Sequence, residues 1–454
     1  MPRFLLVIAS LSVLSILNNM TNRSPNDDAS LTEFRFDVQN SDDDTKQIIA
    51  TAESDTKRAA VSTSSSTIHT QKHNLPKTRA LIYMGIPKTG STTIELLSKT
   101  YQKHLELDGY EMPWVLYREA AKTDNRLVEN PVLKTGHQMP FAACFLNVSQ
   151  CERSALSKHP CNKDLLRFGS DIAKRKKNLL VTAESFVRIQ REGIKALAEY
   201  LSSRWDEIII VVYYRRFYDW LASLYNQIYK RTGKGNNVLT ASAKRENESI
   251  NDFLALNIRE PSSTKPTFTY FLVERLQEHF HKNQILVMNF NDKSMGGVDE
   301  SFYCHAMPNA PNTCNAIRRK GGTIFNAGQN TFDYEDLLYV ANKTGLVHIK
   351  NRKDFEKKWK QVQRYQENVL NKTSSNFKRL CPSADVLNKL WEFTLTAERS
   401  LFPDKFFKDE NYIVDMKSEF DEAARTNLCK VDAEATLKED SWKKFFKTMK
   451  KFST

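Results

Sequence analysis

GIPKTGSTT, residues 85–93, joins a strand-like run to a helix-like one through a Gly/Pro turn. It follows the short apolar run ALIYM and leads into IELLSKTYQKHLEL, where Ile94, Leu97, Tyr101 and Leu105 recur at helical spacing. A strand, a tight Gly/Pro turn and a helix form a common cradle for an anion. The first N–H groups of the helix lack partners within it, and its dipole adds partial positive charge. The ATP-binding loop reads G-x-x-x-x-G-K-[ST]. Here Gly85 and Gly90 keep that separation, but Ser91 stands where the lysine belongs and the lysine has moved to Lys88.

Outward from this turn, strand and helix signals alternate. NLLVTAES (178–185), EIIIVVYYR (207–215) and QILVMNF (284–290) read as buried strands, rich in β-branched residues. FVRIQREGIKALAEYLSSR, FYDWLASLYNQIYKR and YFLVERLQEHFHK read as helices, as does most of 350–430, and 233–249 reads as a solvated loop. Alternation of this kind predicts an α/β fold: a P-loop-like parallel sheet flanked by helices, in one large domain. The domain starts near Arg79 and runs over 80–430. The last stretch, 431–454, is a basic amphipathic tail with Trp442, Phe445, Phe446, Met449 and Phe452 on one face and lysines on the other. Such a helix either lies on an anionic membrane surface or packs on the domain.

The chain of 454 residues is 40% hydrophobic, enough for a substantial core, and carries a net charge of +13. Acidic partners follow: nucleic acid, anionic lipid, or an acidic glycan or nucleotide. The N-terminus narrows the choice. Arg3 precedes an apolar run from Phe4 to Leu17, shorter than the ~20 residues of a full span, which fits a secretory signal or a short signal-anchor over 1–17. Residues 18–79, dominated by Asn, Ser, Thr, Asp and Lys, read as a disordered stem. The leader takes the chain away from nucleus and cytosol, so nucleic acid is not the expected partner. Sequons at Asn19, Asn22, Asn147, Asn247, Asn342 and Asn371 agree with a luminal route, and seven cysteines leave at least one without an intrachain partner.

The chemistry of the loop points further. Lys88 supplies a full positive charge, and the Ser91, Thr92 and Thr93 hydroxyls add donors beside the backbone N–H groups of 88–93. Phosphoryl transfer from a triphosphate normally also needs Mg²⁺ held by carboxylates; no acidic metal box follows this loop, and the later strand ends in YYRR. A sulfuryl group carries less charge, and as it detaches, charge builds on the leaving oxygen, where one lysine and a row of amides suffice. After strand 207–214, Arg215 and Ser223 are spaced to converge on one phosphate, the arginine bidentately. Two other readings compete: a P-loop kinase, disfavoured by the displaced lysine, and a non-enzymatic luminal or secreted protein that binds acidic glycans through its basic surface.

On these residues the sequence resembles the PAPS-dependent Golgi carbohydrate sulfotransferases, where PAPS is 3′-phosphoadenosine 5′-phosphosulfate. PKTGSTT is similar to that family's 5′-phosphosulfate loop, closest in style to the heparan sulfate 2-O-sulfotransferases. RRFYDWLAS stands where the family has R-D-P-x-x-R-x-x-S; Arg215 and Ser223 match, whereas Arg216, Phe217 and Trp220 depart from it. The resemblance covers about 80–325 in order and spacing. It implies PAPS as co-substrate with no metal, bound by Lys88, Thr89, Gly90, Ser91, Thr92, Thr93, Arg215 and Ser223. It also implies a carbohydrate hydroxyl acceptor on an acidic glycan, and a single-pass type II Golgi membrane protein with a luminal catalytic domain, or else a secreted one. In FYCHAMPNAPNTCNAIRRKGG the resemblance is to the 3-O-sulfotransferases. It implies a Cys304–Cys314 disulfide followed by Arg319, Lys320 and Gly321 lining the phosphate site.

Transfer to an alcohol needs a base for the hydroxyl proton. His137, in LKTGHQMPF, matches a GH segment that carries the catalytic histidine in the 2-O-sulfotransferase group, and an imidazole of ordinary pKa near 6.5 suits the task. Glu184, at the end of the strand NLLVTA, is the other candidate, as in the 3-O-sulfotransferases. His137 ranks first.

Overall fold

A computed structural model of the chain describes residues 77–86, 88–124, 127, 139–146, 163–228, 249–259, 269–320, 332–368, 370 and 377–451. The leader, residues 18–76 of the expected stem, His137, Gly321, the 233–248 part of the expected loop and five of the six sequons lie outside them. The described residues belong to one compact unit.

Its centre is a five-stranded parallel sheet in the order β2-β3-β1-β4-β5, formed by β1 (Arg79–Met84), β2 (Tyr110–Glu111), β3 (Asn178–Ala183), β4 (Glu207–Tyr214) and β5 (Ile285–Asn289). Strands buried on both faces read as continuous apolar runs, and β1 shows why. It is paired with β3 on one side and β4 on the other, and Ala80, Leu81, Ile82, Tyr83 and Met84 are all at most 1% exposed. The Leu81, Ile82 and Met84 side chains each contribute about 1.5–3 kcal/mol of burial. Ile82→Ala in mid-strand would cost about 2–5 kcal/mol. β5 lies at the edge and is correspondingly half-covered.

Parallel neighbours require crossovers, supplied here by helices. After β1 come α1 (Ser91–Thr100) and α2 (Gln102–Leu107), then α3 (Pro113–Ala120), α4 (Met139–Leu146) and α5 (Lys163–Lys174) before β3. The expected single helix after the loop is broken at Tyr101, yet Ile94, Leu97, Tyr101 and Leu105 are all buried, as their spacing requires. The helix expected from Phe186 begins only at Arg191 (α6, Arg191–Ser202). Glu184–Arg188 form a 3-10 turn and Ile189 is extended. Next come α7 (Phe217–Ile228), α8 (Ile250–Arg259), α9 (Thr269–Gln277), a π-helical segment Ser301–Ala306 that the sequence did not announce, and α10 (Pro311–Lys320).

The C-terminal third is largely helical, with α11 (Phe332–Lys343), α12 (Arg352–Asn368), α13 (Ala384–Leu401), α14 (Pro403–Lys408) and α15 (Tyr412–Arg425). Strand β7 (Lys430–Val431) pairs antiparallel with β6 (Arg379–Leu380), so the boundary expected at 430 falls inside a pairing and the last residues are continuous with the domain. After α16 (Ala433–Leu437), α17 (Asp440–Lys451) buries Trp442, Phe446 and Met449; Phe445 stacks on Tyr365 with centroids 4.1 Å apart. The apolar face of the tail is packed on its own domain. No helix among the described residues is long and apolar enough to cross a membrane.

Candidate functional site

The loop after β1 turns by placing two successive constraints in the left-handed region. Lys88 has φ 69 and Gly90 φ 82. Gly90 also has no room for a side chain, since a Cβ there would lie 2.7 Å from Val298 Cγ2. Gly85 continues the parallel ladder, its N–H donating to the Ala183 carbonyl at 3.3 Å, and a Cβ on it would meet the Tyr83 ring at 2.7 Å. Thr89 faces inward. It is fully buried, and both its N–H and its hydroxyl donate to the Ile86 carbonyl, at 3.2 and 2.6 Å, which tightens the turn instead of offering donors outward.

Two neighbouring strand ends meet this loop. From β3, Glu184 Oε2 accepts a 2.6 Å hydrogen bond from Ser91 Oγ, so the single O–H of Ser91 is spent on that carboxylate. From β4, Arg215 Nη1 donates to the Lys88 carbonyl at 2.9 Å while its Nε donates to Asp219 Oδ2 at 2.7 Å. The guanidinium carbon lies 5.1 Å from the Phe290 ring centroid. The carboxyl edges of β1, β3 and β4 thus bring together Lys88, Ser91, Glu184 and Arg215. The chain leaves β1 toward β2 but later passes over β1 from β3 to β4, and that reversal is where α/β sheets open a crevice. Thr92 and Thr93 occupy the first turn of α1, with Thr93 buried. Ser223 lies two turns along α7, half-buried.

Arg216, the residue whose match to the motif failed, points elsewhere. It is 5% exposed and ion-paired with Glu419 and, at 3.5 Å, with Glu398. It anchors the start of α7 to α13 and α15. Beneath the loop, burial pushes the Tyr83 and Tyr213 phenols up, so both stay neutral.

The π-helical segment docks on both flanks of the site: Tyr303 donates to the Ile94 carbonyl on α1 at 2.7 Å, and Ser301 Oγ lies 2.5 Å from Tyr213 Oη on β4. A Cys304–Cys314 disulfide, with Cα atoms 4.9 Å apart, ties this segment to α10, and Cys381–Cys429 forms a second bridge that the sequence left open. Cys144 is disulfide-bonded too. On α10, Arg318 pairs with Glu300 at 2.7 Å, next to the turn that packs on Gly90. Arg319 and Lys320 are exposed, and among the described residues no hydrogen bond or ion pair joins them to the loop. Arg319 instead lies near His104 of α2, whose imidazole is held below its ordinary value by burial and then by the Arg319 charge. A shallow cavity of about 490 Å³ is lined by Asn315, Arg318 and Arg319. His137 and Gly321 fall outside the described residues. No group of three or more His, Cys, Asp or Glu able to hold a metal occurs among the described residues.

No protein-family model, curated protein or solved structure matches this chain.

The sequence pointed to Lys88, Ser91, Glu184 and Arg215 one by one. It did not point to Asp219 or Phe290, whose part in holding Arg215 depends on where the chain returns in space. Asp219, four residues after Arg215 at the start of a helix, carries the only sequence signal of the two.

Proposed function

We propose that the chain is a PAPS-dependent carbohydrate O-sulfotransferase, acting on a hydroxyl of an acidic glycan in the secretory pathway. The observation that carries this reading is the contact between Arg215 and the Lys88 carbonyl, which draws the two basic motifs to one sheet edge. A nucleotide with a phosphosulfate at one end and a 3′-phosphate at the other needs two such cationic places side by side.

In this reading the 5′-phosphosulfate lies over the loop, with Lys88 and the first N–H groups of α1 facing its phosphate, and Arg215 with Ser223 takes the 3′-phosphate. The acceptor oxygen attacks sulfur in line, a new O–S bond forms, the S–O bond to the phosphate breaks, and PAP departs. The acceptor proton passes to His137 or Glu184. Lys88 stabilises the charge that grows on the leaving phosphate oxygen, a contribution worth about 10²–10³ in rate for comparable preorganised donors. Ser91 supports the reaction by orienting Glu184 and lending its backbone N–H.

The test is incubation of the protein with labelled PAPS and a panel of glycans, with and without EDTA. Label transfer that persists in EDTA supports the proposal. Phosphate transfer from ATP that EDTA stops would favour a kinase, and glycan binding without PAP binding would favour a lectin-like protein.

A further inference from the structure

Lys88 holds a left-handed backbone, with φ 69, which is strained for a residue bearing a Cβ and persists only where its surroundings fix it. On one side the turn is closed by the two Thr89 hydrogen bonds to the Ile86 carbonyl. On the other, Arg215 Nη1 grips the Lys88 carbonyl at 2.9 Å. The guanidinium is itself fixed by Asp219 Oδ2, 2.7 Å from Nε, and by the ring of Phe290. The side chains of Arg215 and Asp219 are only 18% and 24% exposed.

We propose that Asp219 is a positioning residue. Through Arg215 it holds the Lys88 carbonyl, and with it the left-handed turn, so that the loop after β1 and the arginine after β4 form one preformed anion site. Arginine has five N–H donors. Asp219 and Lys88 take two, and three remain for an anion. The same guanidinium therefore braces the loop and binds, and an anion held at Arg215 stabilises the shape that the loop needs to hold another. The consequence for ligand binding rests on the sulfotransferase reading; the consequence for the loop does not.

Positioning by Asp219 and simple electrostatics act on anion binding with opposite signs. A carboxylate beside an anion site repels the anion, so if charge alone mattered, removing Asp219 would tighten binding. Positioning predicts the reverse. The experiment compares the full-length protein with Asp219→Ala and Asp219→Asn by amide hydrogen exchange and by calorimetric titration with PAP. Loss of a charge-assisted hydrogen bond should speed exchange of the Thr89 amide about tenfold in Asp219→Ala and weaken PAP binding by a similar factor. Asp219→Asn keeps an acceptor and should restore most of both. Unchanged exchange at Thr89, or tighter PAP binding by Asp219→Ala, would overturn the proposal. If no form binds PAP but exchange still quickens in Asp219→Ala, the brace stands and the nucleotide reading falls. Should Asp219→Ala fail to fold, Arg215→Lys gives the same readout: quicker exchange at Thr89 is expected, and unchanged exchange overturns.

Discussion

Ser91 and Glu184, 93 residues apart in the chain, are joined by a 2.6 Å hydrogen bond from Oγ to Oε2. It locks the first turn of α1 to the end of β3 and fixes which way the Glu184 carboxylate faces. In the proposed reaction this carboxylate is one of the two candidates to take the acceptor proton.

The choice of base is therefore testable by substitution. Glu184→Gln keeps an acceptor for Ser91, so the fold should persist, and a general base normally contributes about 10²–10⁴ in rate. If Glu184 is the base, turnover falls by that factor while PAP binding holds. If His137 is, His137→Ala loses the activity instead, and Glu184→Gln keeps it.

Gly90 is the residue of the loop least able to change. Gly90→Ala adds a Cβ 2.7 Å from Val298 Cγ2 at a φ of 82, and should destabilise the protein by about 1–3 kcal/mol. Adding Val298→Ala relieves the clash but not the backbone strain, so only part of the loss should return. Chemical denaturation of the single and double variants measures both.

Four of the five sheet strands were legible from their apolar, β-branched runs: in β4, paired on both sides, Ile208, Ile210, Val211 and Val212 are all buried, and the half-covered edge strand β5 still reads ILVMN. β2 was not legible, since two residues, Tyr110 and Glu111, carry no period. FVRIQ misled because Phe186, Val187 and Ile189 are buried without being helical: their apolar spacing serves a 3-10 turn and an extended exit from it. At the site, Lys88 and Arg215 could be found from turn chemistry and strand ends. The inward turn of Thr89 is set three residues back by the Ile86 carbonyl, whereas the capture of Arg216 by Glu398 and Glu419 follows from distant segments that no local pattern contains.

Glu398 carries a pH dependence of known sign. Burial lifts its carboxyl above the ordinary glutamate value, against hydrogen bonding from Tyr412 and the charge of Arg216. Above about 4.3 and up to its raised native value, the folded protein holds a proton that the unfolded chain has lost, so this group's contribution to stability falls as pH rises. Glu398→Gln cannot titrate. Melting temperatures followed upward from pH 4 should decline less steeply in that variant than in the wild type.

The two described bridges should differ in worth. Cys304–Cys314 closes a separation of 10 residues and Cys381–Cys429 one of 48. Loop-closure entropy gives about 3 and about 4 kcal/mol respectively. Cys381→Ala paired with Cys429→Ala should lower the denaturation midpoint more than the matching change at Cys304 and Cys314. The latter pair should have the larger effect on activity, because its segment packs on α1 and β4.

In the proposed function the turn at Lys88 and the arginine at 215 grip opposite ends of one nucleotide. Titration of PAP into the full-length protein, into Lys88→Ala and into Arg215→Ala tests it most directly. The wild-type protein should bind one PAP saturably and each variant at least about tenfold more weakly, with the fold retained by circular dichroism. Absence of binding by the wild-type protein, or equal binding by Lys88→Ala, would contradict it.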